Sequence, residues 1–324
     1  MLQLSWVRQL THSARSEVHV CHADSLGADV VLKCMDAQRV YARGEDDLFA
    51  EPRVHKRLTK RGHPNILRLL GEGRSNNSVE MVLEYCAHGS LFDVLSAAPQ
   101  QQFEPATARV FFDMIVSGLS FMHNEGYAHR DLSLENILVD DDHMCKLADF
   151  GDAIGVDLVR TDRAGKLFYM APEVYNGEYY IPGEADMWSL GIILFTMLTG
   201  HPVFFKAHES DPNYAILLDE GLEVLVHKLN MAHLIPSMEM EILEQLLEID
   251  PEERMTMDEL LAHEYVAAVL PQPTSILPAL RSSPSSTKVV RTQRGYRYHP
   301  YDARANAAKH RRARKFEALL FNLL

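Results

Sequence analysis

Residues 184–200 read EADMWSLGIILFTMLTG. At a helical period this stretch has almost no polar face, so a helix here must be enclosed by other elements on nearly every side. Its apolar run, 190–198, is shorter than the ~20 residues a membrane helix needs. The segment therefore predicts a buried central helix, and with it a sizeable layered core. The 324 residues are enough to build one.

The first 85 residues read mostly as strands. SEVHVCHA (16–23) and ADVVLKCM (28–35) are short β-prone runs joined by a turn at Gly27. NILRLLGEG (65–73) and SVEMVLEYC (78–86) predict a second pair, with RSNNS as the turn. Between the pairs, residues 46–60 are charged with apolar positions at Leu48, Val54 and Leu58, which predicts a short helix. From residue 86 the pattern is helical. PATARVFFDMIVSGLSFMHNEG (105–126) has Pro at its start and Gly just past its end. SMEMEILEQLLEID (237–250) is amphipathic and stops before Pro251.

Charge is unevenly spread. The whole chain has 32 Lys/Arg and 45 Asp/Glu; residues from 271 onward hold 11 and 2 of these. An acidic body thus precedes a basic tail. PQPTSILPALRSSPSSTKVV (271–290) is rich in Pro and Ser and predicts a flexible connection. The stretch 302–324 has the composition of a helix, basic first and apolar at its end. KHRRARK (309–315) fits a nuclear-import signal, a nucleic-acid or membrane-surface patch, or a strap over the acidic body. Cys21, Cys34, Cys86 and Cys145 have neither C-x-x-C nor zinc-like spacing. They read as reduced thiols, and so as those of an intracellular protein, cytoplasmic or nuclear. MLQLSWVRQL lacks the pattern of a signal peptide.

Five short motifs occur in one order: HRDLSLEN (129–136), DFG (149–151), APE (171–173), ADMWSLG (185–191) and DPEERMT (250–256). An isolated Asp-Phe-Gly is usually a turn and an isolated strand Lys usually faces solvent; the joint order removes those readings. The chain resembles the eukaryotic protein kinase family over residues 4–268. The resemblance implies an α+β, bilobal fold: a small β-rich N-lobe at 4–85, a larger helical C-lobe at 86–268, and a basic tail at 269–324. It implies ATP and Mg²⁺ as cofactors and Ser/Thr hydroxyls of protein substrates as acceptors. Phosphoryl transfer needs positioning and charge compensation more than covalent help. Asp131 falls where the hydroxyl proton is accepted, and Asn136 and Asp149 where magnesium is held. Lys33 falls where the phosphates are contacted, with Glu51 as its carboxylate partner. Leu83, Glu84 and Cys86 fall at the hinge that faces adenine. Val31 and Leu138 fall on either side of the ring, with Leu10 and Val18 at its rim. The acidic body and Glu135 point to basic substrates. Glu173 with Arg254, and Asp186, fall at structural positions.

Several departures stand against this pattern. The phosphate-covering loop, LTHSARSEV (10–18), has Thr11, Ser13 and Ser16 where the family places glycine. A glycine-free hairpin is stiffer and holds its amides further from phosphate; Arg15 offers a positive charge at its tip. Ser133 stands where Ser/Thr kinases carry Lys, and Lys166 stands where they carry Thr. An exchange of positions would keep the cation in place; the alternative is a Lys directed to solvent. Pro52 disfavours a straight helix running through residue 51, so a helix here starts near 49–52 or is kinked there. Asp162 and Thr161 lie where an activating phosphate often sits, one as a built-in charge, the other as a phosphosite. These departures keep a second reading open, an inactive pseudokinase serving as a nucleotide-binding scaffold.

Overall fold

The structure is a computed structural model and describes residues 3–12, 16–36, 47–75 and 78–267. The expectations for Arg15, for the hairpin tip and for the tail lie outside these residues.

The chain begins with a five-stranded antiparallel sheet. Its strands are β1 (Leu4–His12), β2 (Ser16–Ala23), β3 (Ala28–Asp36), β4 (Leu69–Ser75) and β5 (Ser78–Glu84), in the order β1-β2-β3-β5-β4. Helix α1 (Ala50–Arg61) lies between β3 and β4 in sequence. The β4 strand starts later than the apolar run at 65–73 predicts. Its first residues are used elsewhere: Leu67 N donates to Leu147 O (2.9 Å) and Leu147 N to Asn65 O (2.9 Å). This exchange ties the small lobe to the larger one.

The larger lobe is mostly helical. Its elements begin with β6 (Gly89–Ser90), α2 (Leu91–Ala97) and α3 (Pro105–Asn124). Short strands β7 (Tyr127–Ala128), β8 (Ile137–Val139), β9 (Cys145–Leu147) and β10 (Ile154–Gly155) follow. Then come α4 (Pro172–Asn176), α5 (Pro182–Thr199), α6 (Pro212–Glu220), α7 (Leu222–Lys228), α8 (Ser237–Leu246) and α9 (Met257–Ala262). The α5 helix starts two residues before the apolar segment at 184–200 and ends at Thr199, with Gly200 as its cap. It is buried along nearly its whole length, Trp188, Leu190, Ile192 and Phe195 completely. The Ser90 hydroxyl and the Asp93 carboxylate cap α2 reciprocally, a capping box that fixes where the helix begins. Among the described residues no helix is long and apolar enough to cross a membrane.

The β8–β9 hairpin follows segment 129–136, and β8 pairs with both β6 and β9. Residues 129–136 connect β7 to β8.

Candidate active site

Strand β3 carries Lys33 beside Val18 of β2 and Met81 of β5. Its ammonium lies 2.6 Å from Glu51 Oε1 and 2.8 Å from Asp149 Oδ1. Glu51 comes from the first turn of α1, which begins at Ala50. Pro52 is tolerated there because the first turn's amide hydrogens have no partner within the helix. Lys33 and Glu51 are both buried. Burial opposes the Lys33 charge, but Asp149 and Glu51 outweigh it and raise its pKa above the ordinary range. The Lys33 charge in turn holds the Asp149 carboxyl well below the usual range, against the effect of burial. The Asp149 side chain is half exposed.

Asp149 and Arg130 both adopt left-handed backbone conformations, φ 63° and 64°. Such residues cost about 1 kcal/mol or more each unless the surroundings hold them. Asp186, fully buried on α5, accepts the amides of His129 (2.7 Å) and Arg130 (2.8 Å). His129 also contacts the Ala148 carbonyl through Nε2 (3.1 Å), linking the loop to the segment before Asp149. One loop thus fixes the other.

Asn136 spends its amide hydrogens on Asp131, donating to the carbonyl oxygen and to Oδ2, both at 2.7 Å. Asp131 Oδ1 has no hydrogen-bond partner. That oxygen is buried, and Oδ2 is the one that Asn136 orients.

Lys166 Nζ donates to Ser133 Oγ at 2.5 Å. It also lies 3.6 Å from Asp131 Oδ2 and 3.8 Å from Glu135 Oε2. Just before it, Gly165 has φ +87°, and a Cβ there would meet the Arg130 carbonyl at 2.6 Å. Only glycine permits that approach.

Arg130 donates to Asp162 Oδ2 (2.6 Å), and Arg160 Nε donates to Asp162 Oδ1 (2.6 Å). Arg130 also donates to the Tyr180 hydroxyl (2.8 Å), which itself donates to the Asp162 carbonyl (2.8 Å). Arg160 and Tyr180 exchange backbone hydrogen bonds at 2.9 Å. Neither residue follows from a sequence pattern: they meet only through the fold. His55 is likewise buried between the Leu67 carbonyl (2.7 Å) and the Phe150 ring, whose centroid is 4.9 Å from its own.

Val31, Leu83 and Cys86 share one apolar cluster, against which Leu10, Val18 and Leu138 pack. Leu83 pairs with Val31, and Glu84 with Val30, across the β3–β5 register. The Glu84 side chain accepts the Arg68 amide (2.8 Å) and faces Lys146 (3.5 Å). Burial pushes the Cys86 thiol up to about 12. The residues expected around adenine are thus brought together at the end of β5.

This fold, with its paired lysine and carboxylates, is that of a protein kinase domain. Residues 7–266 match the protein kinase domain family, and the chain belongs to it. Over 249 residues it is 34% identical to the maternal embryonic leucine zipper kinase of Danio rerio, covering 74% of this chain and 34% of that protein. The namesake of Xenopus tropicalis is 34% identical over 247 residues, covering 74% and 35%, and that of Xenopus laevis 33% identical over the same length. The matched region spans about a third of the length of these relatives.

Proposed function

We propose that the chain is an active protein kinase that transfers the ATP γ-phosphate to Ser or Thr hydroxyls of protein substrates. The observation that carries this reading is the shared ammonium of Lys33, 2.6 Å from Glu51 and 2.8 Å from Asp149. That arrangement presents a cation for the α- and β-phosphates beside a carboxylate for a metal. Asp149 and Asn136 supply hard oxygen donors of the kind magnesium prefers. Magnesium, when bound, supplies charge compensation for the phosphates. Leu10, Val18, Val31, Leu83 and Leu138 enclose the adenine, and the Glu84 carbonyl and Cys86 amide bond its edge. The acceptor oxygen attacks the γ-phosphorus, the bond to the β–γ bridging oxygen breaks, and ADP departs. Asp131 takes the hydroxyl proton.

The domains of this reading are an N-lobe at 4–85, a C-lobe at 86–268 and a basic tail at 269–324. The acidic body favours basic substrates. Glu135 contributes less to that preference, because it faces Lys166. The glycine-free loop 10–18 favours the second reading, a nucleotide-binding scaffold without turnover.

Transfer of γ-phosphate from Mg-ATP to a mixed Ser/Thr peptide library decides between them, with Asp149→Asn alongside. The kinase reading expects transfer by the wild type and none by the variant. Binding of ATP without transfer by either would establish the scaffold.

A further inference from the structure

Ser133 is completely buried, and its short side chain ends at the hydroxyl that accepts from Lys166. It has no reach into the cleft. The cation nearest Asp131 instead arrives from the opposite segment: Lys166 Nζ stands 3.6 Å from Asp131 Oδ2. About a third of the Lys166 side chain is exposed, so the ammonium sits at the rim of the site rather than in the core. Its charge also contributes to lowering the Asp149 pKa, though less than Lys33 does.

Lys166 is held from behind. Gly165 presses the backbone onto the Arg130 carbonyl. Three residues further back, Asp162 is gripped by Arg130 and Arg160, each at 2.6 Å, and Tyr180 closes the group through the Asp162 carbonyl. Arg130 is the neighbour of Asp131 in the catalytic loop. The clamp and the ammonium are thus two attachments of one short segment, 162–166, to one loop, 130–133.

We propose that Lys166 supplies the cation for the γ-phosphate that the catalytic loop lacks at Ser133, and that the Asp162 clamp is what delivers it. This rests on the kinase reading and deepens it. A lysine on the buried loop is in place whenever the lobe is folded. A lysine on the 160–166 segment is in place only when that segment is docked. In this chain, order in the segment and completeness of the site become the same event. Lys166 is then a catalytic residue, and Asp162 a positioning residue that acts through it. During transfer the ammonium faces the charge that gathers on the γ-phosphoryl oxygens, while the proton passes to Asp131 as before.

Four proteins test this beside the wild type: Lys166→Met, Asp162→Asn, the exchange Ser133→Lys with Lys166→Thr, and the exchange combined with Asp162→Asn. Turnover is measured with a Ser/Thr peptide, and calorimetry compares ADP with a non-hydrolysable ATP analogue. Lys166→Met is expected to lower kcat roughly 10²–10³-fold, the scale of one lost preorganised charge partner. It should weaken the analogue about tenfold and leave ADP unchanged, since only the analogue has a γ-phosphate. The exchange should regain most of the lost turnover. Asp162→Asn should lower kcat about tenfold in the wild type and by less than about threefold in the exchange, where the cation no longer depends on the clamp.

A loss under about threefold in Lys166→Met, set against the range above, would overturn the role of the cation. So would equal weakening of ADP and analogue. Equal effects of Asp162→Asn in both backgrounds would overturn delivery by the clamp. If the exchange does not fold, hydrogen exchange over 160–170 in Asp162→Asn, read with its analogue and ADP affinities, decides the clamp. Unchanged protection, or unchanged affinity for the analogue, would sink it. A wild type that transfers no phosphate fails the kinase reading itself; the ADP and analogue comparison then still decides whether Lys166 meets the γ-phosphate.

Discussion

The Lys33 ammonium meets Glu51 Oε1 at 2.6 Å although Glu51 stands in the first turn of its helix, directly before Pro52. A carboxylate at a helix N-terminus also favours the positive end of the helix dipole. The two preferences act on one side chain, and Glu51 satisfies both. Glu51→Gln keeps the shape and removes the charge, leaving Lys33 to Asp149 alone. Turnover should fall roughly tenfold with little loss of fold, the scale of one charge-assisted hydrogen bond. Peptide phosphorylation and a thermal melt on the same preparation check it; unchanged kcat/KM would mean that Asp149 suffices to place Lys33.

Arg254 donates to Glu173 Oε1 (2.7 Å) and Oε2 (3.1 Å) with both residues almost fully buried. The guanidinium also bonds the carbonyls of Glu184 (3.0 Å) and Glu248 (2.9 Å) and lies over the Trp188 ring. It ties α4, which ends the substrate-facing segment, to α5 and the turn after α8. Arg254→Met strands a buried carboxylate and should destabilise the chain by about 3–5 kcal/mol. Arg254→Lys should lie between, because lysine keeps the charge and loses the planar fork. Urea midpoints of the two variants give the order, and equal midpoints for Met and Lys would show that the charge without the fork contributes nothing.

The buried α5 helix, the strand pairs and the order of the motifs are legible because each is local: periodicity, turn residues and spacing carry them. The position of Glu51 in a first turn is legible for the same reason, since proline dictates where a helix begins. The nearness of Lys166 and Ser133 can be read only as an exchange between two motif slots. The start of β4 is not legible. Asn65 and Leu67 form an apolar run with the residues that follow, and their backbone groups are claimed by Leu147, 80 or more residues away. Arg160 and Tyr180 are hidden likewise: an Arg in a loop and a Tyr after a helix have no pattern until the fold brings both to Asp162.

His55 gives the stability of the chain a pH dependence. It is buried on α1 against Phe150, with Nε2 on the Leu67 carbonyl, and burial, aided by the Lys33 charge, lowers its pKa to about 4. The Leu67 hydrogen bond opposes that shift, and Asp149 does so more weakly. The unfolded chain protonates His55 near pH 6.5, whereas the folded chain resists until about pH 4. The unfolded state therefore binds more protons in this window, and stability falls as pH drops through it, by about 3 kcal/mol in all. His55→Leu should be less stable at pH 7, having lost the bond to Leu67, yet flatter from pH 6.5 to 4. Denaturation curves at several pH values check this; parallel pH profiles for both proteins would assign the dependence to other groups.

Thr161 is exposed, and the cations that a phosphate on it would recruit are already engaged. Arg130 and Arg160 hold the two oxygens of Asp162, each at 2.6 Å. Burial works against the Asp162 charge, but those two hydrogen bonds outweigh it and lower its pKa to about 2. The carboxylate is therefore ionised at every pH at which the enzyme would work, and the segment needs no added charge to dock. A phosphate on Thr161 would compete with Asp162 for the same pair rather than complete an empty site. Thr161→Ala should accordingly change turnover by less than about threefold, since it removes none of the charged hydrogen bonds of the clamp. Phosphatase treatment of the wild type should have as little effect. A tenfold or greater loss in either experiment, the scale of a charge-assisted contact, would mean that the carboxylate is only a resting substitute for phosphate.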